Sequence, residues 1–406
     1  MNDFLENKLL PVANKLAQNK ILSAIRDGLS VSIPFSIIGA FALIIGCFPV
    51  DAVANFFAPY GDFIFSFSTV TLDCLGIIAV IGIAYNMGVQ LEVDPISNVL
   101  LAVVTFFLFT LNEDLGINLD TFSAAGMFCG IIVSIMVTYI FKFFLDKNIV
   151  IKLPDGVPPA IANSFVSLLP AAGCMLVAAI IRVALGIQVN DIITALFAPL
   201  VAGLNSLPGY TFFVFLMCLL WVCGIHGDNT LSPVVSPISA VLMAENMEAF
   251  AAGQPIPNIA TFVSLFVNFS GTGATIGLVI CMLTSKSKRY RELGKLSLPP
   301  AIFNINEPVT FGAPVVMNPI LAIPYILVPV LLTIATWLLM QFNIIGRVCV
   351  EVPWTCPPII GGYLCTLDWK AAVWNALEIV ISYLIYKPFF NKQEAIELAE
   401  EAKAGE

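Results

Sequence analysis

The chain has 406 residues, of which 59% are apolar and only 11% charged, with a net charge of −9. A soluble domain carries about 25% charged residues, so this composition excludes a soluble globular enzyme, a disordered chain and a disulfide scaffold. It predicts an all-α polytopic membrane protein. No basic stripe points to nucleic acid.

The first 27 residues hold no apolar core of a secretion signal. Leu5, Leu9, Val12 and Leu16 recur at helical spacing, with Lys8, Lys15 and Lys20 between them. That pattern predicts an amphipathic segment over 1–27, lying in the membrane interface.

Uncharged apolar runs follow at 28–50, 74–91, 95–112, 121–141, 156–181, 192–225, 249–285 and 308–346. A shorter run near 371–386 is interrupted by Glu378. One span takes about 20 residues. The three longest runs therefore hold either two spans or a span plus a re-entrant piece. The expectation is about ten transmembrane helices, two re-entrant hairpins and amphipathic interfacial helices.

Basic residues cluster at 8–26, 142–152, 286–295 and 387–392, whereas the loops at 51–62 and 112–120 carry acids and no Lys or Arg. Positive charge stays inside, which predicts both termini in the cytoplasm. The proline-rich LPDGVPPAIANSF at 153–165 separates ordinary spans from broken ones. The expected organisation is a front half at 28–190, a back half at 191–390 and an acidic cytoplasmic tail at 391–406.

Ten cysteines are scattered without a CxxC pair. They read as small buried hydrophobes, and neither metal nor cofactor is expected.

Two polar islands interrupt the back half: Trp221-Val-Cys-Gly-Ile-His-Gly-Asp-Asn229 and Asn304-Ile-Asn-Glu-Pro-Val-Thr-Phe-Gly312. His226 is the one histidine in the chain, and Glu307 is the one charged residue between Leu296 and Gly346. The plain reading puts His226 in a surface loop and Glu307 at a helix cap. The sharper reading rests on cost: a carboxylate in hydrocarbon is expensive, so it faces a cavity. The glycines flanking His226 permit sharp turns. Prolines at 299, 300, 308, 314, 319, 324 and 329 are expected to break any continuous helix around Glu307. Irregular backbone at membrane depth survives only inside protein or along water, and discontinuous helices are where transporters hold substrates. A carboxylate accepts bonds from sugar hydroxyls, and an imidazole donates, accepts or shuttles a proton.

On these residues the chain resembles the membrane-embedded enzyme IIC component of the bacterial sugar phosphotransferase system, in its lactose, cellobiose and diacetylchitobiose branch. The resemblance rests on PVANKLAQNKILSAIRDGL, LPDGVPPAIANSF, WVCGIHGDN, FNINEPVTFG and VPWTCPPIIGGYL, and on their order. It implies a permease of the bacterial inner membrane that carries a β-linked disaccharide, cellobiose or diacetylchitobiose, while its C6 hydroxyl is phosphorylated. The phosphoryl group would come from a cysteine of a separate IIB protein, itself charged by IIA. The resemblance also implies a homodimer joined through the front half, set among membrane lipids, with sugar held between the hairpins of the back half. By motif, His226 and Glu307 would meet the reacting hydroxyl in the catalytic role, with Asn306 beside them and Trp354 stacking on sugar. Glu307 would orient the hydroxyl or take its proton. The chain ends soon after the last span, so no appended IIA or IIB domain is expected, and it would phosphorylate nothing alone. The rival reading is a proton- or sodium-coupled symporter with Glu307 as the coupling carboxylate.

Overall fold

Helix follows helix because nearly every run is apolar and each helix satisfies its own backbone, as hydrocarbon demands. The computed structural model describes residues 19–46, 51–154, 158–313, 315–316 and 318–404, and among them no strand occurs. The amphipathic pattern at 5–16, Cys47 and Pro314 lie outside the described residues.

The first part contains α1 (Lys20–Ser30), α2 (Ile33–Gly46), α3 (Asp51–Phe57), α4 (Gly61–Thr71), α5 (Leu75–Gln90), α6 (Pro95–Phe109), α7 (Met127–Asp146), α8 (Pro159–Val166) and α9 (Leu168–Ala179). The second contains α10 (Val189–Leu204), α11 (Leu207–Val222), α12 (Gly227–Ala251), α13 (Ile276–Leu283), α14 (Lys288–Ile302), α15 (Glu307–Gly312), α16 (Pro319–Gln341), α17 (Ile360–Thr366) and α18 (Trp369–Ala404). Side chains cap several of these starts. Asn19 accepts from the N–H groups of Ile21 and Leu22 at 3.0 and 3.1 Å, and Asp94 from that of Ser97 at 2.8 Å.

Five continuous helical stretches are long and apolar enough to cross a membrane: Lys20–Gly46, Asn55–Gln90, Met127–Asp146, Asn163–Ala184 and Pro319–Gln341. Helices α10 and α11 meet at 73° across Asn205 and Ser206, the shape of a broken span or re-entrant hairpin. The 15-residue α6 is apolar but short.

The buried apolar side chains form two clusters. One joins α1, α5, α6 and α7 around Ala24, Ile83, Met87, Phe106 and Phe141. The other joins α11, α13, α16 and α18 around Val214, Phe262, Val279, Tyr325 and Tyr386. Helix α12 serves both, with Val241, Ala244 and Met247 in the first and Ile238 and Leu242 in the second.

One expectation needs correction. Pro324 and Pro329 lie inside the continuous α16, and Pro299 and Pro300 close α14. The breaks around Glu307 fall instead at 303–306 and after Gly312. A proline costs a helix one N–H, and packed neighbours tolerate that within a membrane bundle. Helix α18 runs on through the acidic segment as far as Ala404. Glu397 is buried and bonds Arg289 Nη1 at 2.9 Å, while Glu394 and Glu401 accept from the Ser285 and Ser287 hydroxyls, each at 2.6 Å.

Candidate functional site

Helix α11 ends at Val222 because the chain turns back on its own last carbonyls. Gly224 N–H donates to Trp221 O at 2.9 Å, and Ile225 N–H to Leu220 O at 2.9 Å. His226 then caps α12, its Nδ1 accepting from Asn229 N–H at 3.3 Å. An accepting Nδ1 puts the ring proton on Nε2, which remains for other chemistry. The imidazole is half-buried and packs on the Trp221 indole at 4.2 Å between centroids. Gly227 is required here by space: a Cβ would lie 2.1 Å from Met217 O, so α12 starts directly against α11.

Asp228, two residues on, was not singled out in the sequence and accepts three side-chain hydrogen bonds. Its Oδ2 accepts from Trp221 Nε1 at 2.8 Å and from Thr272 Oγ1 at 2.6 Å. Its Oδ1 accepts from Asn268 Nδ2 at 3.3 Å.

Asn268 and Thr272 belong to Asn268-Phe-Ser-Gly-Thr-Gly-Ala-Thr275, a loop that the sequence reading left inside an apolar run. Its backbone is left-handed at Ser270, Gly271, Gly273 and Ala274. Two residues of α18 hold it from behind: Ser382 Oγ donates to Ala274 O and Tyr386 Oη to Gly273 O, each at 2.7 Å.

The second polar island docks on this loop. Asn304 is itself left-handed, with φ +64°. Its Oδ1 accepts from Ser270 N–H at 2.7 Å, and its Nδ2 donates to Trp354 O at 2.6 Å and Cys356 O at 2.9 Å. Asn306 is buried, and its Nδ2 donates to Thr272 O at 2.6 Å. Its side chain lies where a Cβ on Gly271 would be, 2.3 Å away, so residue 271 has to be glycine. Glu307 opens α15 and is exposed. Phe311 of the same short helix faces Trp221 at 6.2 Å.

Two motifs from distant parts of the chain therefore meet on one loop, the His226 island through Asp228 and the Asn304–Glu307 island through its two asparagines, and the Trp354 segment joins them through Asn304. Asn306 serves as a buried tie. Trp354 has an anchored backbone and a side chain left 58% exposed. Glu307 begins a helix, close to the plain reading, whereas His226 is a half-buried helix cap rather than a residue of a surface loop.

Beside this cluster lies a cavity of about 540 Å³, within the range of small-molecule sites. Asp228, Asn268 and Trp354 line it from the second core, together with Ser232, Ser236 and Ser239 of α12. Arg26, Ser30 and Ser36 line it from the first core, and Glu351 also faces it. His226, Asn306 and Glu307 are not on its wall; they connect to it through Asp228 and Thr272. Hydroxyls and carboxylates set in a largely apolar wall suit a hydroxyl-rich solute with apolar faces, and the exposed indole of Trp354 offers one such surface.

Among the described residues no group of three His, Cys, Asp or Glu side chains is arranged to hold a metal ion. The described cysteines carry free thiols.

Residues 26–329 match the family model "Phosphotransferase system, EIIC". The chain is 36% identical to the lichenan permease IIC component of Bacillus subtilis (strain 168), with 99% of this chain and 95% of that protein aligned. It is also 36% identical to the cellobiose-specific EIIC component of Geobacillus stearothermophilus, over 97% of this chain and 95% of that one. Among solved structures it superposes on the transporter ChbC, the IIC component of an N,N'-diacetylchitobiose-specific phosphotransferase system. That match has a TM-score of 0.93 at 36% identity and covers 98% of this chain and 99% of ChbC. The chain therefore belongs to the EIIC family of the phosphotransferase system, the multi-pass sugar-permease components of that system.

Proposed function

We propose that this permease carries a β-linked disaccharide, of the cellobiose or diacetylchitobiose kind, while a phosphorylated IIB protein phosphorylates its C6 hydroxyl. The observation that carries the reading is the cavity between the two cores, which carries serine hydroxyls on a largely apolar wall, is bounded by Trp354 and Asp228, and is joined through Asp228 to the His226 and Glu307 corner. The names of the cellobiose and diacetylchitobiose relatives support the sugar class.

Phosphoryl transfer asks for in-line positioning and charge management more than for covalent chemistry by the protein. The C6 oxygen would attack phosphorus as the IIB cysteine sulfur leaves, and Glu307 would orient the hydroxyl or take its proton. The exposure of Glu307 suits a step in which a second protein has to reach the reacting hydroxyl. His226 Nε2 would hold the sugar oxygen or an incoming phosphoryl oxygen. In this reading the protein works as a homodimer joined through its front half, with IIA upstream of IIB and both termini in the cytoplasm. Symport driven by a proton gradient would use the same carboxylate, and family membership favours phosphotransfer.

Vesicle uptake tests the proposal. Uptake of labelled cellobiose should need phospho-IIB and deliver phosphorylated sugar, and Glu307→Gln should lower phosphorylation at least about a hundredfold, within the range for a lost general base. Accumulation of unmodified sugar driven by a proton gradient overturns the proposal. Full turnover in the Glu307→Gln protein overturns the assignment of Glu307.

A further inference from the structure

We propose that Asp228 and Thr272 act as a positioning pair that sets the imidazole of His226 and the Asn306–Glu307 corner in register with each other. The proposal rests on the reading above that His226 and Glu307 serve the reacting hydroxyl.

The argument starts from the acceptor count of one carboxylate. Asp228 receives three donors, Trp221 Nε1, Thr272 Oγ1 and Asn268 Nδ2, and among the described residues no salt bridge reaches it. Hydrogen bonds to an ionised acceptor are roughly twice as strong as neutral ones, so three neutral donors hold this carboxylate where a cation is lacking. The donors come from two structural pieces: Trp221 from the last turn of α11, and Asn268 and Thr272 from the beginning and middle of the loop.

The consequences run in two directions from Asp228. Toward His226, the bond to Nε1 fixes the indole plane on which the imidazole packs at 4.2 Å. Toward Glu307, the Thr272 hydroxyl holds the residue whose carbonyl receives Asn306 Nδ2 at 2.6 Å, and Glu307 is the next residue in the chain. Phe311 meets the Trp221 ring as well, so α15 and the indole also touch directly. A single acceptor oxygen, Asp228 Oδ2, thus sits between the two chemical groups without contacting either.

Substitutions separate the hydroxyl from the bulk of the side chain. Thr272→Val keeps the shape and removes the donor, whereas Thr272→Ser keeps the donor. Trp221→Phe keeps an aromatic ring and removes only the N–H. Asp228→Asn puts an amide NH2 where one of the present donors points.

His226 is the chain's one histidine, so full-length protein labelled at histidine Cε1 gives a single imidazole resonance, shifted by the ring current of the Trp221 indole. The experiment records that resonance in detergent together with cellobiose affinity and phosphorylation by phospho-IIB. The resonance should move in Thr272→Val, Asp228→Asn and Trp221→Phe and keep its wild-type position in Thr272→Ser. Thr272→Val should lose about tenfold in kcat, a modest share of what about 1 Å of misplacement costs, with the cellobiose Kd unchanged. Thr272→Ser should restore turnover.

An unmoved resonance in both Thr272→Val and Trp221→Phe overturns the positioning pair, as does a Thr272→Ser protein as impaired as Thr272→Val. Unchanged kcat in Thr272→Val alongside a moved resonance also overturns it. Failure of the functional reading has a different signature: wild-type protein that leaves cellobiose unphosphorylated while the resonance still follows the Thr272 hydroxyl.

Discussion

The two cores solve the same problem by different means. Between membrane helices the hydrophobic effect contributes little, since lipid is as apolar as a leucine side chain; association relies on close packing and on interhelical hydrogen bonds. The first core relies on closeness. Gly28 of α1 and Gly82 of α5 let the two backbones touch, and a Cβ on Gly82 would sit 2.2 Å from Gly28 O. The second core relies on side-chain bonds to irregular backbone. Asn304, Asn306, Ser382, Tyr386 and Asn375 each bond main-chain groups that no helix satisfies. The difference teaches that a broken helix inside a membrane protein needs as many fixed polar partners as it has orphaned amides, and those partners shape the site.

The comparison breaks most visibly at Gly82. Overpacking a core that can still relax costs about 1–3 kcal/mol, and here the neighbour is backbone, which relaxes least. Gly82→Val is expected to cost at least about 3 kcal/mol, read as a lowered melting temperature or a loss of monodisperse protein in detergent. Gly203→Ala is the control, because a Cβ there meets nothing within 4 Å. A Gly82→Val protein as stable as wild type would show that contact between α1 and α5 does not hold the first core.

In the second core the matching change is Asn304→Ala. It removes bonds to Ser270 N–H, Trp354 O and Cys356 O and places alanine at φ +64°. At about 0.5–1.5 kcal/mol for each bond, the loss should be about 2–4 kcal/mol. Because Asn304 anchors the backbone beside Trp354, sugar affinity should fall as well. Isothermal titration with cellobiose checks this, and unaltered affinity in a destabilised protein would separate the anchor from the cavity wall.

This contrast also explains what could be read in advance. The all-helical membrane class follows from composition, and the apolar runs locate most spans, since one helix buried in lipid needs only its own residues to be apolar. The two polar islands stood out because charge and histidine are conspicuous in such a chain. The loop 268–275 did not, although its Asn, Ser, Gly and Thr residues are the piece on which both islands rest. Small polar residues carry no periodicity, and their partners lie tens of residues away, as with Thr272 and Asp228 or Ser270 and Asn304. Asp228 was hidden by its neighbour His226. The prolines misled in the other direction, because Pro324 and Pro329 in α16 are carried by packed neighbours.

The smallest expected effect lies where α18 leaves the apolar region. Ser285 Oγ and Lys286 N–H both donate to Glu394 Oε1 at 2.6 Å. Partial burial works to raise the Glu394 carboxyl, but these bonds and the charge of Lys387 outweigh it, so the group titrates below its ordinary value of 4.5. Glu401 is lowered too, first by the Ser287 hydroxyl and then by Arg289 N–H. A carboxyl with a depressed folded pKa binds fewer protons folded than unfolded near that pKa. Its contribution is therefore complete above the ordinary value and disappears as pH falls through the lowered one. Amide protection over 391–401 should stay flat from pH 8 to about pH 5.5 and decline below about pH 4.5, once corrected for intrinsic exchange. Glu394→Gln should flatten part of that decline. Protection that stays flat well below pH 4.5 instead would mean that packing holds the helix end and that the serine-capped carboxylates contribute nothing.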